Sequence, residues 1–306
     1  MQLGLIGLGR MGGNMARRLR RGGIEVVAWN RDPEVTAALA TETGLQAAGD
    51  LAALVAALQP PRCLWLMLPA GDATESVLAE LVPLLASGDL LVDGANAHYR
   101  DSQRRARDCA ARGLGFVDAG VSGGVWGLDN GYALMFGGEA AAIAALRPAI
   151  EVLAPAPDAG WLHCGPAGAG HFVKMVHNAI EYGMMQAFAE GFALFDARPE
   201  FGLDQAAIAE CWRHGSVVRS WLLDLIADFL ADPAALDSVA PHVEDSGEGR
   251  WAVIEGVELG VPTPVISLAL AARFASRGGD DFGHRLLALM RRGFGGHATR
   301  PTDPAP

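Results

Sequence analysis

Residues 2–21 read QLGLIGLGRMGGNMARRLRR. Gln2 to Ile6 form a short apolar run of strand character. Gly7-Leu8-Gly9-Arg10-Met11-Gly12 follows at once, and Asn14 to Arg21 then has helical character. A strand, a G-x-G-x-x-G turn and a helix, in that order, make the dinucleotide fingerprint in its required context. The glycines permit a tight turn and let the backbone approach a pyrophosphate at the helix N-terminus. The same letters also occur in ordinary glycine-rich turns, so the context carries the weight. A second strand, Glu25 to Trp29, ends at Asn30-Arg31-Asp32. That is about 20 residues past the last glycine, where the side chain that reads the ribose is expected. Arg31 suits stacking on adenine or pairing with a 2′-phosphate. Asp32 suits a ribose diol and repels a 2′-phosphate.

Downstream, strand patterns and helices alternate. Cys63 to Leu68 is an apolar strand closed by Pro69. Leu90 to Val92 leads into Asp93-Gly94-Ala95-Asn96. Phe116-Val117 leads into Asp118-Ala119-Gly120-Val121-Ser122-Gly123-Gly124. Such alternation predicts a doubly wound parallel sheet whose ligands lie beyond the carboxyl ends of the strands. Asn96 and Ser122-Gly123-Gly124 both stand at such ends. Each, taken singly, also reads as a turn with an Asx or Ser cap. After Pro166 strand patterns stop. Helical patterns cover 170–197, 204–214, 216–231, 247–259, 263–276 and 281–292, with breakers at Pro199, Pro233, Pro241 and Pro262. The expected fold class is α/β: a Rossmann-type domain over 1–166, then an all-helical domain over 167–306. The chain closes in a Gly/Pro-rich tail from Gly293, of a composition that usually leaves tails without structure.

The longest helical pattern, GPAGAGHFVKMVHNAIEYGMMQAFAE over 165–190, carries the chemistry. Lys174, His177, Asn178 and Glu181 stand at i, i+3, i+4 and i+7. At about 100° per residue the last three project within roughly 60° of Lys174. A cation, an imidazole, an amide and a carboxylate therefore share one face. Phe172, Val173, Met175, Val176, Ile180 and Met184 make the remainder apolar, so the polar stripe is expected to line a cleft. A Lys and a Glu seven apart on a helix are more often solvated surface charges; the surrounding apolarity argues otherwise.

Length and composition bound the rest. The 306 residues are enough for one large or two ordinary domains. Hydrophobic residues make up 51% and charged residues 19%, as in globular enzymes. A net charge of -11 argues against nonspecific nucleic-acid binding, which needs a basic face. Cys63, Cys109, Cys164 and Cys211 are scattered without a C-x-x-C, so neither a metal site nor a disulfide framework is expected. MQLGLIGLG is too soon interrupted to be a signal peptide, and no apolar run reaches the ~18 residues of a membrane span. These features predict a cytoplasmic protein that uses neither metal nor membrane.

The motifs together resemble the 6-phosphogluconate dehydrogenases of the β-hydroxyacid dehydrogenase superfamily. The matching stretches are GLIGLGRMGGNMARRL, VDGANAHYRDS, FVDAGVSGGVWGLDNGYALMFGG, GAGHFVKMVHNAIEYGMMQAFAEGF and RGFGGHA, which reach residue 298. The superfamily shares the first motif, VSGG and GAGxxxKMVxN. The IEYG, HYRDS and VWGLxNG runs are specific to the 6-phosphogluconate branch, and the length is similar to its short bacterial form. The resemblance implies oxidation of 6-phosphogluconate at carbon 3, loss of CO2 and ketonisation to ribulose 5-phosphate. Lys174 matches the family's base and Glu181 its acid. Asn96, Ser122, Gly123, Gly124, His177, Asn178 and Tyr182 match positions that hold the substrate. Arg273, Arg291 and His297 match positions that hold its phosphate, the last two arriving from a neighbouring subunit. The resemblance therefore implies a homodimer or homotetramer with shared sites. It implies a nicotinamide cofactor held by Gly7, Leu8, Gly9, Arg10, Met11, Gly12, Asn30, Arg31, Asp32, Leu68, Pro69 and Asn96. Asp32 favours NAD, with NADP tolerated through Arg31. In the long form a phosphate-binding Lys precedes a Trp. The loop here, Asp245 to Trp251, lacks it and leaves open whether Arg250 substitutes. The competing expectations are a 3-hydroxyisobutyrate dehydrogenase, a tartronate semialdehyde reductase, or a non-catalytic nucleotide sensor on the same scaffold.

Overall fold

The computed structural model describes residues 1–276 and 282–299. The chain divides into two compact units, Met1–Lys174 and Met175–Pro306. The first alternates β1 (Gln2–Ile6), α1 (Arg10–Arg21), β2 (Glu25–Trp29), α2 (Pro33–Thr43), β3 (Gln46–Ala47), α3 (Leu51–Ala57), β4 (Cys63–Leu66) and α4 (Asp72–Leu81). It continues through β5 (Leu90–Asp93), α5 (Tyr99–Ala110), β6 (Gly115–Ser122), α6 (Gly127–Asn130), β7 (Ala133–Gly138), α7 (Ala140–Leu153) and β8 (Trp161–Gly165). Among the described residues these strands make one sheet in the order β3-β2-β1-β4-β5-β6-β7-β8.

One face of the sheet is covered by α1 and α7, through Met15, Leu19, Leu146 and Ile150. The other carries α3, α4 and α5, through Leu54, Leu78 and Cys109. Strands buried on both faces read as continuous apolar runs, which is why β4 and β5 are legible in the sequence. Helix starts follow local chemistry. Asp32 caps α2 by accepting from the Glu34 amide, with Pro33 at the first helical position, and Asp50 caps α3 through the Ala53 amide.

The parallel doubly wound expectation holds for every neighbouring pair of strands except β6 and β7, with β7 and β8 parallel again. β7 runs antiparallel to β6, from Val117 opposite Gly138 to Ser122 opposite Ala133. Neither β7 nor β8 is announced by the sequence pattern. A Cβ on Gly137 would stand 2.5 Å from an Asp118 carboxylate oxygen and 2.7 Å from the Gly170 nitrogen, while Gly138 takes φ +149° beside the Phe116 carbonyl. β6 is also longer than expected. Asp118 lies inside the strand and is fully buried, not in the loop after it.

α8 (Ala169–Asp196) begins in the first unit and continues into the second. The second unit then contains α9 (Gln205–Arg213), α10 (Trp221–Leu230), α11 (Pro233–Asp237), α12 (Glu248–Leu259), α13 (Pro264–Ala275) and α14 (Phe282–Gly295). Its core gathers Met185 and Phe192 of α8, Leu223 and Ile226 of α10, and Leu286 and Met290 of α14. The helix expected from 216 starts only at Trp221, where Ser220 caps it through the Leu223 amide. α14 carries Arg291, as the pattern over 281–292 expects, and runs on through Gly295, three residues into the expected tail. Residue 281 of the expected last helix, and the tail from Arg300, lie outside the described residues.

Candidate active site

The fingerprint glycines divide by what surrounds them. Gly7 has φ +90°, and a Cβ there would stand 2.5 Å from the Met67 carbonyl oxygen. A Cβ on Gly12 would stand 2.0 Å from the Gly7 oxygen, so both positions are closed to any side chain. Gly9 differs: its Cβ would meet nothing within 4 Å. Gly9 is also the N-cap of α1, and no side chain caps that helix. Bare backbone, open space and an uncapped helix N-terminus fit a pyrophosphate. Asn30 shapes the same loop, accepting from the Leu8 amide at 3.0 Å and donating to the Asp32 carbonyl at 3.1 Å. Arg10, Arg31 and Asp32 are exposed beside it, and Met11 packs on the core. One Asp32 oxygen serves the α2 cap at 3.0 Å, so this carboxylate is already oriented. Leu68 is half-buried, and the carbonyl of exposed Pro69 accepts from the Thr74 hydroxyl.

Asn96 is the one non-glycine residue at positive φ among the described residues, at +51°. Its Oδ1 accepts from the Val121 amide at 2.9 Å and its Nδ2 donates to the Val121 carbonyl at 3.1 Å. The side chain thus ties the β5 end to the β6 end, one residue before Ser122. Gly123 and Gly124 follow at φ +135° and +54°. Asn14 of α1 donates to the Val125 carbonyl at 3.1 Å, fixing the fingerprint helix to this loop. Trp126, which sequence reasoning did not select, stands 47% exposed there.

The first turn of α8 is seated on the sheet by glycine backbone and one carboxylate. Buried Asp118 accepts from the Gly168 amide at 2.6 Å and the His171 amide at 2.8 Å. It does the work of an N-cap from another element. His171 is 1% exposed, and its Nδ1 lies 2.7 Å from the Ser102 hydroxyl of α5. A Cβ on Gly120 would lie 2.5 Å from the Lys174 Cβ, so the lysine stem runs directly over β6 backbone. Lys174 is 6% exposed. Sequence reasoning missed Asp118, His171 and Ser102. An Asp read as a loop residue and a His one turn ahead of the polar stripe gave no signal until β6 and α5 were placed.

The rest of the stripe belongs to the second unit. His177 Nδ1 stands 2.9 Å from Asn178 Oδ1 and 3.9 Å from a Glu181 carboxylate oxygen. Asn178 Nδ2 donates at 2.9 Å to Glu248, a buried carboxylate at the start of α12 that the sequence reading also missed. Tyr182 is buried and donates to Asp245 at 3.3 Å. The Arg273 guanidinium lies over the Tyr182 ring, 3.2 Å from its centroid. Arg273 is 2% exposed, and its Nη2 has no hydrogen-bond partner among the described residues. Burial pulls this guanidinium down to about 10; the Tyr182 contact works the other way and the neighbouring Arg291 adds to the lowering. Two buried cations at one place in an acidic chain are costly to leave uncompensated, and they fit a polyanion.

Arg291, also buried, is thus near enough within the same chain to act on the Arg273 charge. His297 lies edge-on to Phe294, 5.9 Å between centroids, and Phe294 in turn meets Trp221. Arg250 pairs with Asp245 and stacks over Phe274, so its charge is already committed.

Two family profiles match the chain. The NAD binding domain of 6-phosphogluconate dehydrogenase covers residues 2–164, and the 6-phosphogluconate dehydrogenase C-terminal domain covers 170–281. A NAD(+)-dependent, decarboxylating 6-phosphogluconate dehydrogenase of Haloferax volcanii is 43% identical over 304 residues, 99% of this chain and all of the relative. A decarboxylating 6-phosphogluconate dehydrogenase of Synechococcus elongatus is 38% identical over 90% of this chain but only 61% of its own length. The Plasmodium falciparum 6-phosphogluconate dehydrogenase, solved apo, with NADP+ and with 6-phosphogluconate, superposes with a TM-score of 0.82 at 27% identity. That match covers 99% of this chain and 67% of the other. A Mycobacterium tuberculosis 3-hydroxyisobutyrate dehydrogenase shares the fold at a TM-score of 0.69 and 22% identity. With both halves of the fold, the fingerprint and the α8 stripe in agreement, the chain belongs to the 6-phosphogluconate dehydrogenase family.

Proposed function

We propose that this protein oxidatively decarboxylates 6-phosphogluconate to ribulose 5-phosphate and CO2, reducing NAD in preference to NADP. The observation that carries the reading is the pairing of two features. One is the Lys174–Glu181 stripe of α8; the other is the buried Arg273–Arg291 cation pair. An alcohol oxidation needs a base, and ketonisation of an enediol needs an acid. A substrate bearing a phosphate needs cations whose forks match its oxygens.

In this mechanism neutral Lys174 takes the proton of the carbon-3 hydroxyl. The Gly7–Gly12 turn would hold the pyrophosphate of a dinucleotide whose nicotinamide, when bound, would supply the acceptor for the hydride of carbon 3. Lys174, now protonated, holds its charge beside the new carbonyl oxygen and returns the proton as the carboxylate departs as CO2. Glu181 then protonates carbon 1 of the enediol, and the base removes the hydroxyl proton to give the ketone. His177, Asn178, Tyr182, Asn96 and the Ser122-Gly123-Gly124 loop orient the sugar acid. Arg273, Arg291 and His297 hold its phosphate. The first domain, taken as 1–166, serves the nucleotide, and the second, 167–306, the substrate.

Nucleotide choice rests on Asp32. Held by the α2 cap, it presents a carboxylate to the ribose and opposes a 2′-phosphate, while exposed Arg31 tolerates one. Asp32→Thr is expected to raise the NADP/NAD ratio of kcat/KM about tenfold or more, in the range of a lost like-charge contact. An unchanged ratio would remove Asp32 from the reading. We further propose a cytoplasmic homo-oligomer with shared sites. Its support is an apolar stripe on α12 and α13 of the second unit, where Val257, Val265 and Leu268 are 78%, 65% and 69% exposed.

Absorbance at 340 nm tests the activity. Reduction is expected with 6-phosphogluconate and either nucleotide, faster with NAD. It is not expected with 3-hydroxyisobutyrate or other non-phosphorylated hydroxy acids. The reverse pattern would assign the chain to another β-hydroxyacid reaction.

A further inference from the structure

Glu248 is the strongest group that the proposed mechanism leaves without a task. It is the first residue of α12 and lies between two glycines, each constrained. Gly247 has φ +105°, and a Cβ on Gly249 would stand 2.4 Å from the Tyr182 ring. The Glu248 side chain is 9% exposed. One oxygen accepts from Asn178 Nδ2 at 2.9 Å; the other has no hydrogen-bond partner among the described residues. A buried carboxylate with half its capacity unused costs stability.

The hydrogen-bond logic runs outward from that carboxylate. A carboxylate only accepts, so the Asn178 amide must turn its NH2 toward Glu248. Its carbonyl oxygen then faces His177, 2.9 Å from Nδ1. The second neighbour of Nδ1 is a Glu181 carboxylate oxygen at 3.9 Å, also an acceptor. With acceptors on both sides, Nδ1 carries the ring proton, and in the neutral ring Nε2 then carries the lone pair. We infer that Glu248 is a positioning residue: by fixing the Asn178 amide it sets the tautomer of His177, so that Nε2 meets the substrate as an acceptor. His177 then orients a substrate hydroxyl by accepting its proton in a hydrogen bond. Lys174 remains the base and Glu181 the acid. The inference rests on the reading of α8 as the substrate-binding stripe.

Glu248→Gln separates this role from mere packing. The variant keeps the shape but offers an NH2, which lets the Asn178 amide turn over and present its own NH2 to Nδ1. The full-length protein, labelled with 15N-histidine and assigned with His177→Gln, reports the tautomer through long-range 1H–15N correlations. In the wild-type protein His177 is expected as the Nδ1–H form. In Glu248→Gln it is expected to shift to the Nε2–H form. The variant's kcat on 6-phosphogluconate should drop, and its nucleotide Kd should change less than twofold. Losing a hydrogen bond to a charged group typically costs about 10- to 100-fold. A wild-type His177 in the Nε2–H form overturns the inference even if no variant folds. So does a Glu248→Gln protein with unchanged tautomer and turnover. The reading of α8 has its own check: if Lys174→Met stays active, that reading fails whatever the tautomer proves to be.

Discussion

Lys174 owes its place to a residue with no side chain. Its stem lies over Gly120, and the helix that carries it is capped by Asp118 from a neighbouring strand. Lys174→Met keeps the stem and removes the amine. It is expected to abolish hydride transfer in single-turnover absorbance measurements while nucleotide binding, followed by fluorescence, stays within a few-fold. Glu181→Ala is expected to leave the first hydride step largely intact and to slow turnover by about 100-fold or more, as loss of a positioned acid does. Equal loss of both phases in both variants would remove the division of labour between the two residues. The polar stripe itself was legible, because helical spacing alone puts Lys174, His177, Asn178 and Glu181 on one face. Glu248, Asp118 and Ser102 were not. Each works through a partner at least 50 residues away, as the 70-residue separation of Asn178 and Glu248 illustrates. No local pattern encodes such a pairing.

At the scale of elements, the decisive fit is the first turn of α8 on β6 and β7. A Cβ on Gly120 would press on the Lys174 Cβ at 2.5 Å and on the Gly170 oxygen at 2.9 Å. Gly120→Ala is therefore expected to displace α8. It should destabilise the protein by about 1–3 kcal/mol in denaturant unfolding and lower kcat more than it weakens nucleotide binding. Wild-type turnover in this variant would show that the seat of Lys174 tolerates movement. α4 and α5 are joined by charge instead. Arg105, 3% exposed, pairs with Asp93 at 2.6 Å and with Glu75 at 2.7 Å. Burial alone would raise the Glu75 carboxyl, but hydrogen bonds from Arg104 and Arg105 hold it below its ordinary value. A depressed carboxylate stabilises the fold above its unfolded pKa and loses that contribution as pH falls through the folded value. The melting temperature is thus expected to fall as pH drops below about 4, and Glu75→Gln to flatten that limb while lowering stability near neutrality. A Glu75→Gln profile parallel to wild type would exclude this ion pair as the cause. The strands of the parallel half were legible from their apolar runs. β7 was not, since Gly137, kept bare by the approach of the first turn of α8, interrupts its strand pattern.

For the whole molecule, composition gave the acidic balance and the helical second half, and the family motifs gave the chemistry. The helical pattern over 281–292 already put Arg291 on a helix; what it did not disclose is that Arg291 is buried and near enough to Arg273 in its own chain to act on its charge. An exchanged C-terminal segment would rebuild the same pair between copies. Mixing Lys174→Met with Arg291→Ala/His297→Ala under conditions of subunit exchange decides between the two. Restored activity is expected for a shared site; a mixture that stays inactive after proven exchange assigns Arg291 and His297 to their own chain. The central claim, that Lys174 and Glu181 act in sequence on one substrate, meets its most direct test in the products of the wild-type enzyme. With 6-phosphogluconate and NAD, the account expects NADH, CO2 and ribulose 5-phosphate in equal amounts from the first turnovers onward. Accumulation of NADH with a 3-keto acid and without CO2 would contradict it.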